Sequence, residues 1–277
     1  MNIIIDNLEK HRCQTLKRRA PVIDRKELRD IMKTAALYDI HGNYPALKAV
    51  SDQLDHLQPD LVILGGDIVS GPMPLAVLQL IDQLSKKFNT VGISGNNDQD
   101  VVDAYNGKQL SLSKHAQDQI KWVANQLSKQ QVLKLKGLLL NVTVGDDFFC
   151  HAVAKNNTTI FTPHSNIAII KKLFQGVQSP FIICGHTHLQ FEITIGHQKI
   201  INAGSVGMPF SDLEGAQWLW IDDQQFRFKR TKIDKAAAVK EIQLSDYPYV
   251  DNFITQYVEN TVPLSKAYQL LDRLAEK

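Results

Sequence analysis

Five short apolar runs in this chain each end in side chains able to bind a metal ion. TAALYD (34–39) leads from Asp39 into Ile40-His41-Gly42-Asn43, LVILGG (61–66) into Asp67, and TVGIS (90–94) into Gly95-Asn96-Asn97-Asp98; FFC (148–150) leads into His151 and FIIC (181–184) into Gly185-His186-Thr187-His188. Side chains two apart on an extended segment share a face, which pairs Asp39 with His41 and His186 with His188. Donors of nitrogen and oxygen without a thiolate suit Mn²⁺, Fe²⁺, Co²⁺, Ni²⁺ or Zn²⁺ better than copper(I) or an iron–sulfur cluster. Seven such groups exceed what one catalytic ion with open positions uses. Because a carboxylate such as Asp67 can bridge, the set predicts two ions about 3.5–4 Å apart, the arrangement of phosphoryl-transfer chemistry. Singly, each fragment has an ordinary explanation: Asp39 and His41 can be a strand-end pair, His151 a hydrogen-bonded core histidine. Five in order, each behind its own strand, argue for a shared site.

The elements that must position these groups follow from hydrophobic periodicity. Intervals of 28 residues from Asp39 to Asp67 and 29 from Asp67 to Asn96 fit strand, crossover helix and strand, and ligands gather at the carboxyl ends of strands in α/β folds. Asn43 as N-cap, Pro45 in the first turn and Leu47, Val50, Leu54 and Leu57 along one face predict a helix. Pro74–Lys87 predicts a second, through Leu75, Leu78, Ile81 and Leu84. Residues 99–136 read as a helical excursion, with Leu112, Ala116, Ile120, Val123 and Leu127 on one face and a Ser128–Gln131 capping box opening another helix. Strand-like runs then occupy 138–144, 147–151, 180–185, 191–195, 199–203, 217–222 and 225–232, with one helix near 165–176. A parallel first half and a meander-like second half predict two mixed sheets with outer helices.

Composition fits a globular protein. The 277 residues are 44% hydrophobic and 22% charged with net charge +2, which excludes collagen-like, low-complexity and wholly disordered classes. Residues 1–31 hold eight Lys/Arg against five Asp/Glu, a local +3 that leaves −1 for the remainder. This basic extension reads either as an anionic-partner arm or as a solvated segment ahead of a domain that begins at Met32. Its acidic residues and lack of aromatics favour the latter, and no specific nucleic-acid binding is expected. No apolar run reaches the roughly 18–20 residues of a membrane helix, and MNIIIDNLEK lacks the features of a secretory signal. Three widely spaced cysteines, Cys13, Cys150 and Cys184, fit a reducing cytoplasm.

The ordered motifs DIHGN (39–43), GGD (65–67), GNND (95–98), CHA (150–152), GHTH (185–188) and INAGSVGMPF (201–210) resemble those of the calcineurin-like metallophosphoesterase superfamily. Within it they are similar to the small bacterial and archaeal phosphodiesterases called diadenosine-tetraphosphatase-like. The resemblance spans about Met32 to Ile233 and implies a metallophosphoesterase domain over 32–233; the pattern of 234–277 reads as a helical or irregular tail packed on it. The implied fold is α/β, a four-layer α/β/β/α sandwich. The implied ligands are Asp39, His41, Asp67 and His188 for one ion, and Asp67, Asn96, His151 and His186 for the other. Mn²⁺ is the expected metal, and a metal-bridging hydroxide the expected nucleophile.

One position departs from the family pattern. Many relatives carry His in the third slot of the GNH(D/E) motif, where this chain has Asn97. An amide cannot act as a general acid near neutral pH, so phosphoanhydrides and activated phosphodiesters are expected over alkyl phosphomonoesters. Asp98 is expected to orient a ligand or its loop, and His115 is a candidate for the missing acid. His164, Asn202 and Ser205 are candidates for substrate contact, with turn formation the alternative role of the last two. The expected substrate is a phosphate ester or nucleotide. A non-catalytic protein-binding scaffold, as in the retromer subunit of this fold, is the competing reading; retention of all seven ligands favours the enzyme.

Overall fold

The computed structural model describes residues 32–275, and the basic extension at 1–31 lies outside them. The strands are β1 (Thr34–Leu37), β2 (Leu61–Leu64), β3 (Asn89–Gly92), β4 (Asn141–Val144), β5 (Asp147–Cys150), β6 (Phe181–Cys184), β7 (Gln190–Ile195), β8 (Gln198–Ala203), β9 (Ala216–Asp222) and β10 (Gln225–Thr231). They form two five-stranded sheets, in the orders β10-β9-β1-β2-β3 and β4-β5-β6-β8-β7. Both sheets are mixed. β1, β2 and β3 are parallel, as are β5, β6 and β8, and antiparallel strands flank each trio.

Alternation along the strands builds the layers. Ala36 and Tyr38 from β1 and its end, Ile63 from β2 and Leu219 from β9 meet Phe149, Ile183 and Ile201 of the other sheet in a buried layer. Their neighbours Ala35, Leu37, Val62 and Trp218 face the opposite way, into a cluster with helix residues such as Leu47, Val50 and Leu54. On the far side, Cys150, Ile182 and Cys184 pack against Ile170, Phe174, Ala267 and Leu271. A period of two in the strands thus produces three apolar layers between four layers of structure. Each fully buried Leu or Val contributes about 1.5–3 kcal/mol relative to exposure.

Helices α1 (Tyr44–Leu57) and α2 (Pro74–Lys87) are the crossovers of the first sheet; α1 begins under an Asn43 cap and carries proline in its first turn, as the sequence predicts. Three helices follow: α3 (Asn96–Tyr105), α4 (Lys114–Gln126) and α5 (Lys129–Lys136). The first of these starts within the Gly95-Asn96-Asn97-Asp98 motif itself, ahead of the expected excursion at 99. The strand expected over 138–144 is confined to β4, because Leu138 packs with the helical cluster and Leu139 makes only an isolated bridge to Ile93. The helix α6 is Ile167–Leu173, shorter than expected and capped by Asn166.

After β10 come α7 (Lys235–Ile242), α8 (Val250–Ile254) running into a π-helical turn (Thr255–Glu259), and α9 (Leu264–Ala275). This tail touches both outer faces. Ile242, Tyr247, Phe253 and Val258 belong to the cluster under the first sheet, whereas Ala267 and Leu271 belong to that of the second.

Candidate metal centre

The two parallel trios place their carboxyl ends on one side, and the loops that leave them interlock. Asp39 N–H donates to Gly66 O (3.1 Å), His41 N–H to Asp67 O (2.8 Å) and Gly42 N–H to Ile68 O (3.0 Å), so the β1 and β2 loops continue to pair beyond their strands. Gly185 N–H donates to His151 O (2.8 Å), which joins the β5 and β6 ends in the same manner. Asp39, His41, Asp67, His186 and His188 all have φ between 48° and 69°. That left-handed conformation costs a non-glycine residue about 1–2 kcal/mol, and such strain collects where the surroundings force a functional geometry. Here it turns five side chains towards one point. Gly66 holds φ 98°, which a side chain would not tolerate, and a Cβ on Gly95 would lie 2.0 Å from Asp67 Oδ1.

Two groups of donor atoms result, Asp39 with His41 and His188, and Asp67 with His151 and His186, each group lying within 4.8 Å. Asp39 Oδ1 is 3.5 Å from His188 Nε2, 3.8 Å from His41 Nε2 and 3.9 Å from His151 Nε2. Asp67 Oδ2 lies 3.6 Å from His41 Nε2 and 3.7 Å from His151 Nε2, midway between the groups.

Outer partners fix the imidazole tautomers. Carbonyl oxygens only accept, so the nitrogens facing them carry the proton: His151 Nδ1 donates to Gly65 O and His188 Nδ1 to Met208 O, both at 2.9 Å. His41 Nδ1 has the Ser70 carbonyl at 3.3 Å and its hydroxyl at 2.9 Å. His186 is reversed, with Nε2 3.1 Å from Thr158 O. In their neutral forms His151, His186 and His188 therefore each turn a lone pair inward, the pattern of metal-binding histidines held by outer hydrogen bonds.

The centre is short of positive charge. His41 Nε2 and His188 Nε2 approach to 3.1 Å, and Asp39 Oδ1 is buried without a hydrogen-bond donor. Asn96 directs its amide oxygen at His151 Nε2, 3.2 Å away; turned over, the amide would donate to His151 and His186 instead. Such a constellation of acceptors is costly unless a cation sits among them, and it fits divalent ions with mixed nitrogen and oxygen ligation. Burial opposes the charge on Asp39, yet the imidazoles of His188, His151 and His41 hold its carboxyl well below the usual range. Burial, reinforced by His151, pushes His186 down to about 4, so its ring is neutral.

The remaining sequence-predicted residues divide. Asn97 lines the cavity above the metal centre, and both its backbone N–H (2.8 Å) and its Nδ2 (2.6 Å) donate to Asp67. Asp98 is buried and accepts from Ile68 N and Gly95 N, bracing the loops on either side of the site; burial and then Asp67 raise its carboxyl to about 6. His115 lines the cavity wall, stacked on Tyr249 at 3.8 Å between ring centroids. Three residues expected at the substrate lie outside the cavity lining. Asn202 and Ser205 are fully buried and away from the cavity lining: Asn202 donates to Gly185 O and Thr187 Oγ1, and Ser205 to Asp39 O, so they hold the ligand loops from behind. His164 pairs instead with Asp272 at 2.8 Å, outside the cavity lining, where it ties the following loop to α9.

Periodicity gave no sign of the cavity's outer wall. Tyr247, Asn252, Phe253, Gln256 and Tyr257 of the tail line the same space as the metal ligands.

The profile of the calcineurin-like phosphoesterase superfamily domain matches residues 32–223, and the chain belongs to that superfamily. It is 24% identical over 225 residues to an uncharacterized protein of Methanocaldococcus jannaschii, covering 72% of this chain and 86% of that one. Among solved structures, a hypothetical protein from Pyrococcus horikoshii superposes with a TM-score of 0.72 at 18% identity, over 83% of this chain and 100% of its own. A metallophosphoesterase from Sphaerobacter thermophilus gives a TM-score of 0.66 at 23% identity, over 81% and 97%. These likenesses establish the fold as an α/β sandwich.

Proposed function

We propose that the protein is a dinuclear-metal phosphoesterase that hydrolyses phosphodiester or phosphoanhydride bonds. The observation that carries this reading is the convergence of imidazole nitrogens and carboxylate oxygens from Asp39, His41 and His188 and from Asp67, His151 and His186, within 4.8 Å in each group. Asp39, His41, Asp67 and His188 would hold one ion; Asp67, Asn96, His151 and His186 would hold the other, with Mn²⁺ the first choice. Bound divalent ions supply a nucleophile from water at neutral pH and neutralise charge on phosphate oxygens.

The chain's own residues set the selectivity. Asn97 spends one amide hydrogen on Asp67 and keeps the other for a phosphate oxygen, but it has no proton to give a leaving group. Among the described residues His115 is the cavity's one imidazole outside the ligand groups and is the candidate donor for demanding leaving groups. Leaving groups that depart as stable anions are therefore favoured. A protein-binding scaffold needs neither seven convergent donors nor a cavity above them. Among the described residues no helix is long and apolar enough to cross a membrane, and the buried thiols of Cys150 and Cys184 suit the reducing cytoplasm where we place the protein.

The test is hydrolysis of bis-p-nitrophenyl phosphate with Mn²⁺ by wild type and His186→Ala. Activity in the wild type that the substitution removes supports the assignment; equal activity in both overturns it.

A further inference from the structure

The cavity above the metal ligands is enclosed by a segment beyond the matched superfamily domain. Its volume is about 430 Å³, within the roughly 300–1,000 Å³ of small-molecule sites. One wall is the start of α4, with His115, Gln119 and Ile120; the other is the tail, with Tyr247, Asn252, Phe253, Gln256 and Tyr257. Aromatic contacts bind the two walls together: His115 stacks on Tyr249 at an interplanar angle of 16°, and Trp122 meets Tyr247 edge-on at 5.2 Å. Tyr249 Oη also reaches Asp118 of α4, at 3.3 Å. The tail enters the cavity through the π-helical turn Thr255–Glu259, which carries Gln256 and Tyr257. Such turns are rare and frequently mark functional sites.

The chemistry of this wall is specific. Among the described residues no Lys or Arg lines the cavity, so a chain of phosphates running outward from the metals would lack from them the cationic partners such anions need. What it offers instead is aromatic surface from Phe253, Tyr247 and Tyr257, together with the amides of Gln119, Asn252 and Gln256. Those amides make no side-chain hydrogen bond among the described residues. Rings supply stacking and free amides read the edge of a flat heteroaromatic group.

Resting on the phosphoesterase reading above, we propose that the tail and α4 form a subsite for an uncharged, flat aromatic group of nucleobase size, carried by the phosphodiester that the metal centre cleaves. The substrate class narrows to diesters bearing one such group, and polyphosphate chains are rejected.

The experiment compares thymidine 5′-p-nitrophenyl phosphate with methyl p-nitrophenyl phosphate, which share a leaving group, using the full chain and Mn²⁺. Wild type should prefer the thymidine ester in kcat/KM by about tenfold or more, the yield of one stacked base. In Gln256→Ala/Tyr257→Ala that ratio should collapse towards unity, and Asn252→Ala, an exposed truncation, should lower it without touching the core. Equal hydrolysis of the two esters by wild type overturns the subsite while leaving the metal-dependent reading intact. Failure to cleave either ester counts against the metal reading; saturation-transfer NMR with uncharged thymidine then decides the subsite. A saturable signal in wild type that the double variant loses supports it, and no signal in wild type overturns it.

Discussion

Replacing Asp39 by Asn separates what the metal centre costs the fold from what a cation returns to it. Asp39 Oδ1 is fully buried without a donor, 3.5 Å from the His188 Nε2 lone pair. An unsatisfied buried acceptor costs about 1–3 kcal/mol. In Asp39→Asn one side-chain oxygen still accepts from His186 N–H, a 2.8 Å bond in the wild type, and the new amide nitrogen can donate to His188. Asn also tolerates the φ of 52° at this position. The assay is thermal unfolding in EDTA at about pH 9, where neutral imidazoles no longer attract the carboxylate. There the variant should be more stable by about 1 kcal/mol, or roughly 2–4 °C for a chain of this size.

Mn²⁺ should reverse the order. Wild type gains about 2.7 kcal/mol at a hundredfold excess over Kd, which the same conversion makes roughly 5–10 °C, and the variant gains less than half of that. An Asp39→Asn protein less stable than wild type in EDTA, or equally stabilised by Mn²⁺, would refute the reasoning. The pH dependence without metal has a definite sign. Burial lowers the pKa of His151, but Asp67 and Asp39 outweigh it and leave the value above the ordinary 6.5. The stability it contributes is complete below that ordinary value and is lost as pH rises through the folded one, so metal-free wild type should weaken as pH rises above about 6.5.

Three further substitutions address separate parts of the site. Gly95→Ala would set a Cβ 2.0 Å from Asp67 Oδ1 and 2.2 Å from Asp67 N; displacement of that carboxylate and its loop should weaken Mn²⁺ binding by about 10–100-fold, read by calorimetric titration. Asn202→Ala strips partners from Gly185 O, Thr187 Oγ1 and Gly204 N at once, and should lower stability by about 2–3 kcal/mol in a denaturation experiment. Asn97→His introduces a proton donor beside the metals. Turnover of glycerol phosphate relative to bis-p-nitrophenyl phosphate should rise, and an unchanged ratio would remove Asn97 from any role in leaving-group selectivity.

The ligand loops were legible because each is a local pattern: an apolar run of three to six residues, then a polar donor, at a spacing that returns the chain to the same sheet edge. Asn43 capping α1 and Ser128 capping α5 were legible for the same reason, since a cap and its helix are adjacent in sequence. Where one apolar run serves two layers, local pattern fails. Leu138 packs with the helices while Val142 joins the layer between the sheets, so a run that reads as one strand is divided. Asn202 and Ser205 lie in a motif that resemblance associates with the site, but whether a polar side chain faces the cavity or braces it from behind depends on contacts across about 165 residues, as between Ser205 and Asp39. The tail's place over the metals is of this kind. Nothing in the order Tyr247-Pro248-Tyr249 announces a partner at His115, more than 130 residues earlier.

The most direct measurement is anomalous diffraction from crystals of the protein equilibrated with Mn²⁺. Two peaks about 3.5–4 Å apart, one within coordination distance of Asp39, His41 and His188, the other of Asn96, His151 and His186, with Asp67 reaching both, are the predicted result. A single peak, or none among these residues, would contradict the dinuclear centre.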